Sequence, residues 1–261
     1  MYKRTRIIVI TVVLLTSCLS LTIAGPLAAD EVMWEVYNRD SGDTMSATLT
    51  MVLTNAKGAS RTRSIVQYRK NGDGLERKLM FFLTPNDVKN TSFLSISYED
   101  GRGDDQFIYL PALKRVKRIA SDSKSDSFMG SDFTYDDMGS RHPDLDVHSI
   151  LRRENINGMS TIVIQSEAKG RTEYPKTISW IVDGKWVGAQ KEFYDKDGKL
   201  AKRLSIDEIK QVEGIYVIGD MTMTNLIKNT STRIQMDDVL FNVDLEDRFF
   251  SERQMQIGPR R

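Results

Sequence analysis

Met45-Ser46-Ala47-Thr48-Leu49-Thr50-Met51-Val52-Leu53-Thr54 decides the fold class. Met45, Ala47, Leu49, Met51 and Leu53 alternate with residues that, Val52 apart, carry hydroxyls. A period of two held over this length is the mark of a strand with one buried face and one wetter face. Asn55-Ala56-Lys57-Gly58 reads as a hairpin turn, and Arg61 to Lys70 returns as a second strand. Arg61, Arg63, Gln67 and Arg69 are expected outward, on a solvated face of that strand.

The same grammar continues on the C-terminal side. Strands are predicted over Leu75 to Leu83, Thr91 to Tyr98, Gln106 to Leu110 and Leu113 to Ile119. In the fourth, Leu94, Ile96 and Tyr98 share one face. After a break the pattern resumes over Val147 to Asn155, Ser160 to Ala168, Lys176 to Val182, Trp186 to Tyr194, Leu200 to Gln211, Tyr216 to Leu226 and Thr232 to Val243. Asn157-Gly158, Asp183-Gly184 and Asp197-Gly198 are strong hairpin signals. No helical pattern of 10–15 residues intervenes, which argues against parallel βαβ architecture. About a dozen antiparallel strands in hairpin order must curl, close or split. Short helices are expected at Glu31 to Asp40, where Val32, Met33, Val36 and Tyr37 recur at helical spacing, and at Glu246 to Met255.

Between the two blocks of strands lies Phe128-Met129-Gly130-Ser131-Asp132-Phe133-Thr134-Tyr135-Asp136-Asp137. It does not alternate. Gly130 marks a turn, and Ser131 and Asp132 are residue types that cap a following helical turn. The stretch is expected to lie against an apolar sheet face.

Composition narrows the chemistry. The 261 residues carry 37 basic and 36 acidic side chains, so no global attraction to nucleic acid is implied. One cysteine and two histidines provide no zinc or haem ligand set of recognisable spacing. His142 and His148, with Asp144 and Asp146 between them, make a weak metal or acid/base candidate. Asp104-Asp105 and Asp136-Asp137 are adjacent carboxylates, and the sequence lets no pKa-raising environment be inferred for them. Nucleophile elbow, His-Glu-x-x-His, P-loop and dinucleotide signatures are absent, so no catalytic residue, cofactor or enzyme activity is predicted. Lys114, Arg115, Lys117 and Arg118 lack interleaved aromatics and read as a solvated strand face rather than an anion site.

Residues 1–29 read as a targeting segment and residues 30–261 as one domain. Lys3, Arg4 and Arg6 precede an apolar run from Ile7, and small residues follow at Ala24, Ala28 and Ala29. Removal of three basic residues would leave 34 basic against 36 acidic. Ile7 to Ile23 is marginal for a span of ~20 apolar residues, so export is favoured over an uncleaved anchor. Leu15-Thr16-Ser17-Cys18 offers a lipidation site at Cys18; the alternative is a cysteine discarded with the signal peptide.

The sheet faces are rich in methionine: Met45, Met51, Met80, Met221 and Met223, with Met129 in the central stretch. Methionine packs irregular cores and equally lines adaptable cavities. Leu49, Met51, Leu94, Ile96, Tyr98, Trp180, Met221 and Met223 are the candidates for such a cavity wall.

The ten residues Phe128 to Asp137 resemble the signature of the outer-membrane lipoprotein-sorting (LolA/LolB-like) family. Phe82-Leu83-Thr84-Pro85-Asn86-Asp87-Val88-Lys89-Asn90-Thr91, Tyr109-Leu110-Pro111-Ala112-Leu113-Lys114-Arg115-Val116-Lys117-Arg118-Ile119 and Phe250-Ser251-Glu252-Arg253 are similar to other family segments. The resemblance implies a curved, incompletely closed antiparallel β-barrel with a few short helices lidding an apolar cavity. It implies a periplasmic carrier of the acyl chains of a lipid or lipoprotein, working beside an RND-type (MMPL-like) membrane exporter. A non-catalytic assembly partner of a transporter, or a lipid-anchored acceptor, are the alternatives. On the carrier reading Phe128, Met129, Gly130, Ser131, Asp132, Phe133, Tyr135 and Asp136 form the lid or its hinge.

Overall fold

The structure, a computed structural model, describes residues 27–260. Cys18, and all but the last three residues of the expected targeting segment, lie outside that range. Among the described residues thirteen strands form one antiparallel sheet. They are β1 (Thr44–Thr54), β2 (Ser60–Gly72), β3 (Leu75–Thr84), β4 (Ser92–Tyr98), β5 (Asp105–Leu110), β6 (Arg115–Arg118), β7 (Asp146–Ile156), β8 (Met159–Ala168), β9 (Lys176–Val182), β10 (Val187–Tyr194), β11 (Leu200–Val212), β12 (Ile215–Asn225) and β13 (Thr230–Phe241).

Their order across the sheet is β6-β5-β4-β3-β2-β1-β13-β12-β11-β10-β9-β8-β7. Each hairpin keeps its partner as neighbour, and the pairing of β1 with β13 joins the two halves. β6 and β7 are the free edges, so the curved sheet does not close. The residues between those edges, 119–145, carry the central stretch. β6 is shorter than its sequence suggests. Pro111–Leu113 form a 3-10 turn and Lys114 takes a left-handed φ of 49°, so pairing begins only at Arg115.

Both faces of the sheet are used. The inner face carries Leu49 and Met51 on β1, Ile65 opposite Leu49 on β2, Phe82 on β3 and Phe93 on β4. The outer face of β2–β6 carries Tyr68, Leu79, Phe81 and Leu94. The C-terminal segment covers it through Leu245, Phe249, Phe250 and Met255. That segment holds a 3-10 turn, Asp247–Phe249, and helix α2 (Glu252–Ile257), capped by the Ser251 hydroxyl accepting from Gln254 N.

Helix α1 (Ala29–Asn38) packs on the inner face of the opposite half, where Val32 meets Ile162, Ile164 and Ile181. Leu27 and Ala29, counted with the targeting segment from sequence, also pack there. The helix begins at Ala29 because the Ala28 carbonyl takes Val32 N at 3.1 Å and the Glu31 carboxylate takes Ala28 N at 2.8 Å. No helix among the described residues is long and apolar enough to cross a membrane.

Arg63, Gln67 and Arg69 overturn the outward assignment made for them. They share the face of Ile65, and Arg63 and Gln67 are buried. A strand residue's face is set by its phase relative to its paired neighbours, not by its own charge.

Candidate functional site

The central stretch sits on the apolar end of the inner face. Phe128 is fully buried and Phe133 nearly so. Phe128 meets the Phe93 ring edge-on at 5.1 Å and Tyr135 edge-on at 5.5 Å, with the Phe82 ring tilted at 6.1 Å. These are the separations at which aromatic pairs add to simple burial. Met129 and Tyr135 pack at the margin of the same cluster, which reaches Met51, Met223 and Ile234 across the β1–β13 seam.

The backbone folds into a small closed hairpin. Phe128 N donates to the Phe133 carbonyl at 2.8 Å, and Ser131 N to the Phe128 carbonyl at 2.9 Å. Ser127 and Thr134 form an isolated antiparallel bridge. The tip turns through Met129 (φ 52°) and Gly130 (φ 75°). A β-branched side chain is strained at a left-handed φ, so Gly130 fits the turn that its sequence position predicts.

Ser131 and Asp132 do not cap a helical turn. Asp132 is held by β13: its N–H donates to Thr232 Oγ1 at 3.0 Å, Thr232 Oγ1 donates to Oδ2 at 2.8 Å, and the Thr230 hydroxyl donates to Oδ1. These hydroxyls occupy the carboxylate that a cap would need. The local turn is instead fixed by Asp137, whose Oδ2 accepts from Thr134 N at 2.7 Å and from its hydroxyl at 2.9 Å. The 3-10 turn Asp136–Met138 follows, with Asp136 exposed.

Two further ties come from the other half of the sheet. Arg63 Nη1 donates to the Met129 carbonyl at 2.7 Å, and Gln106 Nε2 to the Tyr135 carbonyl at 2.8 Å. Burial lowers the Arg63 pKa, with Asp87 opposing the shift. The Tyr135 phenol is pushed up by burial. The stretch is therefore stapled to β2, β5 and β13 by a few polar contacts, with its aromatics pressed onto apolar wall.

The candidate wall residues divide. Leu49, Met51, Met221 and Met223 lie in or against the cluster that holds Phe128 and Phe133. Leu94 and Ile96 pack with the C-terminal segment on the outer face, so they do not share that wall. Tyr98 has their phase, and its hydroxyl donates to Asp105 Oδ2 at 2.8 Å. Trp180 lies with Val163 and Val182, and its indole N–H donates to Glu154. β3, β4 and β5 are covered on both sides, and alternation alone cannot say which face belongs to which cover.

The two histidines have other work. His142 is buried beneath α1 between Trp34, at 4.9 Å, and Tyr37, at 5.3 Å. His148 bonds Ser166 at 2.8 Å and the Pro143 carbonyl at 3.0 Å. Among the described residues no three His, Cys, Asp or Glu side chains are grouped to hold a metal ion.

Along the strands the inner face changes character. Leu49–Ile65–Phe82 forms an apolar row. Two rows further on, Arg69, Lys78, Ser95 and Gln106 lie side by side on β2 to β5. Beside that polar end, two adjoining clefts of about 220 Å³ and 270 Å³ open between α1, the β1 entry and residues 140–143. The apolar end is filled by the chain's own aromatics.

A family model for an uncharacterized protein family matches residues 74–257. No curated protein matches the chain. Among solved structures, a domain from Vibrio parahaemolyticus named for outer-membrane lipoprotein sorting is 33% identical, with 87% of this chain and 98% of that one covered and a TM-score of 0.82. A DUF1329 family protein from Desulfovibrio piger is 25% identical, with 87% and 97% covered and a TM-score of 0.82. A LolA superfamily protein from Nitrosomonas europaea, 15% identical with 88% and 100% covered, shares the fold at a TM-score of 0.67. The unclosed thirteen-stranded sheet is a LolA-like fold, and the 33% identity over 87% of the chain shows that it belongs to the outer-membrane lipoprotein-sorting domain family.

Proposed function

We propose that this protein is a periplasmic carrier that takes the acyl chains of a lipid or lipoprotein onto its inner face, exchanging them for its own central stretch. The observation that carries the reading is the seating of Phe128 and Phe133 on the Leu49–Met51–Met223 wall, tied down by few polar contacts. The name of the Vibrio parahaemolyticus structure supports sorting of lipoproteins as the general role.

The energetics suit a carrier. An acyl chain of about twelve methylenes gains about 10 kcal/mol on burial at ~0.8 kcal/mol each. Expelling Phe128, Met129 and Phe133 costs about 1.5–3 kcal/mol per side chain. The difference is a few kcal/mol, so cargo is held yet released. An empty apolar cavity would bind more tightly and let go more slowly. Methionine walls adapt to chains of different length. An RND-type exporter as the membrane partner and export by a cleaved leader belong to the same reading; acylation of Cys18 would make the protein an anchored acceptor instead.

Native mass spectrometry of the protein from its own periplasm or membrane fraction tests this. A co-purified acyl-bearing species near unit stoichiometry is expected. A bare protein that also takes up no fluorescent fatty-acyl probe sinks the carrier reading and favours an assembly role. The N-terminal mass from the same spectrum reports whether Cys18 is retained and acylated.

A further inference from the structure

The polar end of the inner face holds two guanidinium groups that make no close ion pair among the described residues, although the Glu76 and Asp40 charges act on both. Arg39, the residue that ends α1, and Arg69 on β2 both line the 220 Å³ cleft. Neither has a carboxylate within 4.0 Å among the described residues, whereas Arg141 in the same cleft is paired with Asp146 at 2.5 Å. Arg39 Nη1 donates to the Tyr216 carbonyl at 3.0 Å, and Arg69 Nη2 to the Ser41 carbonyl. Arg69 Nε is buried with no hydrogen-bond partner among the described residues. Glu76, the acid of the cleft, is taken by Lys78 at 3.3 Å and the Ser140 hydroxyl at 3.2 Å.

The orphaned atoms are not scattered. The buried side-chain atoms without a partner among the described residues are Arg69 Nε, Ser95 Oγ and Gln106 Oε1. All three fall on one cross-strand row, Arg69–Lys78–Ser95–Gln106, but of them only Arg69 lines the cleft, and Gln106 Oε1 is an acceptor that an anion does not satisfy. Buried polar groups are normally satisfied, and unpaired buried cations are costly. Burial lowers the pKa of Arg39 and Arg69, and the Arg69 charge lowers Arg39 further, although Glu76 and Asp40 oppose the shift. Arg39 and Glu76 also line the adjoining cleft, but that cleft lacks Arg69 and adds Asp40, Asp43 and Glu99.

We propose that Arg39 and Arg69 seat a phosphate-class oxyanion, the head group of an anionic lipid whose chains run along the inner face. Guanidinium forks match phosphate oxygens with paired donors, and the oxyanion supplies the acceptor that Arg69 Nε lacks. Met33, Val36 and Pro143 line the same cleft beside the cations and suit the first carbons below a head group. Arg69 is four residues along β2 from Ile65, so at about 3.4 Å per residue the seat lies about 14 Å from the apolar row. That is a head-to-mid-chain distance. The lipid assignment rests on the carrier reading; the oxyanion seat does not.

Calorimetric titration of the full exported protein decides it, using inorganic phosphate, a short-chain phosphatidic acid and the diacylglycerol of the same chain length. Phosphatidic acid is expected to bind at least about tenfold tighter than diacylglycerol. Arg69→Gln and Arg39→Gln should each remove that preference and leave diacylglycerol binding unchanged. Arg69→Lys should keep part of it, and Lys117→Gln on exposed β6 all of it. Should Arg69→Gln fail to fold by circular dichroism, Arg39→Gln carries the test. Equal affinity for the two lipids overturns the seat and leaves the carrier standing, as does a preference that survives both Gln variants. Phosphate binding that is lost in Arg69→Gln, with no lipid bound at all, upholds the seat for a free anion and removes the carrier.

Discussion

Arg63 on β2 reaches across the inner face to the main-chain carbonyl of Met129, 66 positions later, at 2.7 Å. Met129 holds a left-handed φ of 52°, so this contact falls at the tip of the hairpin that buries Phe128. Arg63→Leu removes the donor and leaves the carbonyl unpaired. Loss of a charged hydrogen bond costs about 1.5–3 kcal/mol. Amide exchange should accelerate across 128–137 while the β1–β2 amides stay protected. Uniform acceleration over the whole sheet would contradict a local latch.

Asp132→Ala removes the tie to β13 from the other side of the seam. Its cost alone is also about 1.5–3 kcal/mol. The two ties hold one segment, so release of either weakens the other. The double variant Arg63→Leu/Asp132→Ala should therefore lose less than the sum of the singles in a denaturation cycle. Strict additivity would mean that the two contacts act on independent elements.

Phe128→Ala deletes the ring packed against Phe82, Phe93 and Tyr135. Stability should fall by about 3–5 kcal/mol. On the exchange account the same change makes acyl-probe binding tighter, because less apolar surface has to be expelled. Weaker binding in step with the folded fraction points to Phe128 as core alone.

Glu76 sets an acid limit. Burial pushes its pKa up, but the Lys78 and Arg69 charges and bonds from Lys78 and Ser140 outweigh this and hold it below 4.5. A depressed carboxylate stabilises the fold above its ordinary pKa, and that contribution is lost as the pH falls through the folded-state value. Glu76→Gln should destabilise the protein near neutrality, and the gap to the parent should narrow as the pH drops below 4.5. Urea titrations at about pH 7 and about pH 3 measure it.

The strands were legible because alternation and Asn-Gly or Asp-Gly turns mark them locally, as in Met45 to Thr54 and Asp197-Gly198. The faces were less so. Arg63, Gln67 and Arg69 look solvated by type, yet Ile65 is in phase with them and pairs with Leu49, and that pairing was the available signal. Leu94 and Ile96 could be grouped but not placed, because the cover on their side comes from Phe249 and Phe250, about 150 residues on. Asp132 had the chemistry of a cap, and only the fold brings Thr230 and Thr232 to it. His142 gave no sequence signal for its place between Trp34 and Tyr37.

The central claim is that cargo replaces the central stretch on the inner face. Photo-crosslinking with a diazirine-bearing fatty-acyl probe, read by peptide mass spectrometry, tests it most directly. The account predicts adducts at Leu49, Met51, Phe93 and Met223, together with faster amide exchange over 128–135 when the probe is bound. Adducts confined to the outer face around Leu94 and Ile96, with 128–135 still protected, would contradict it.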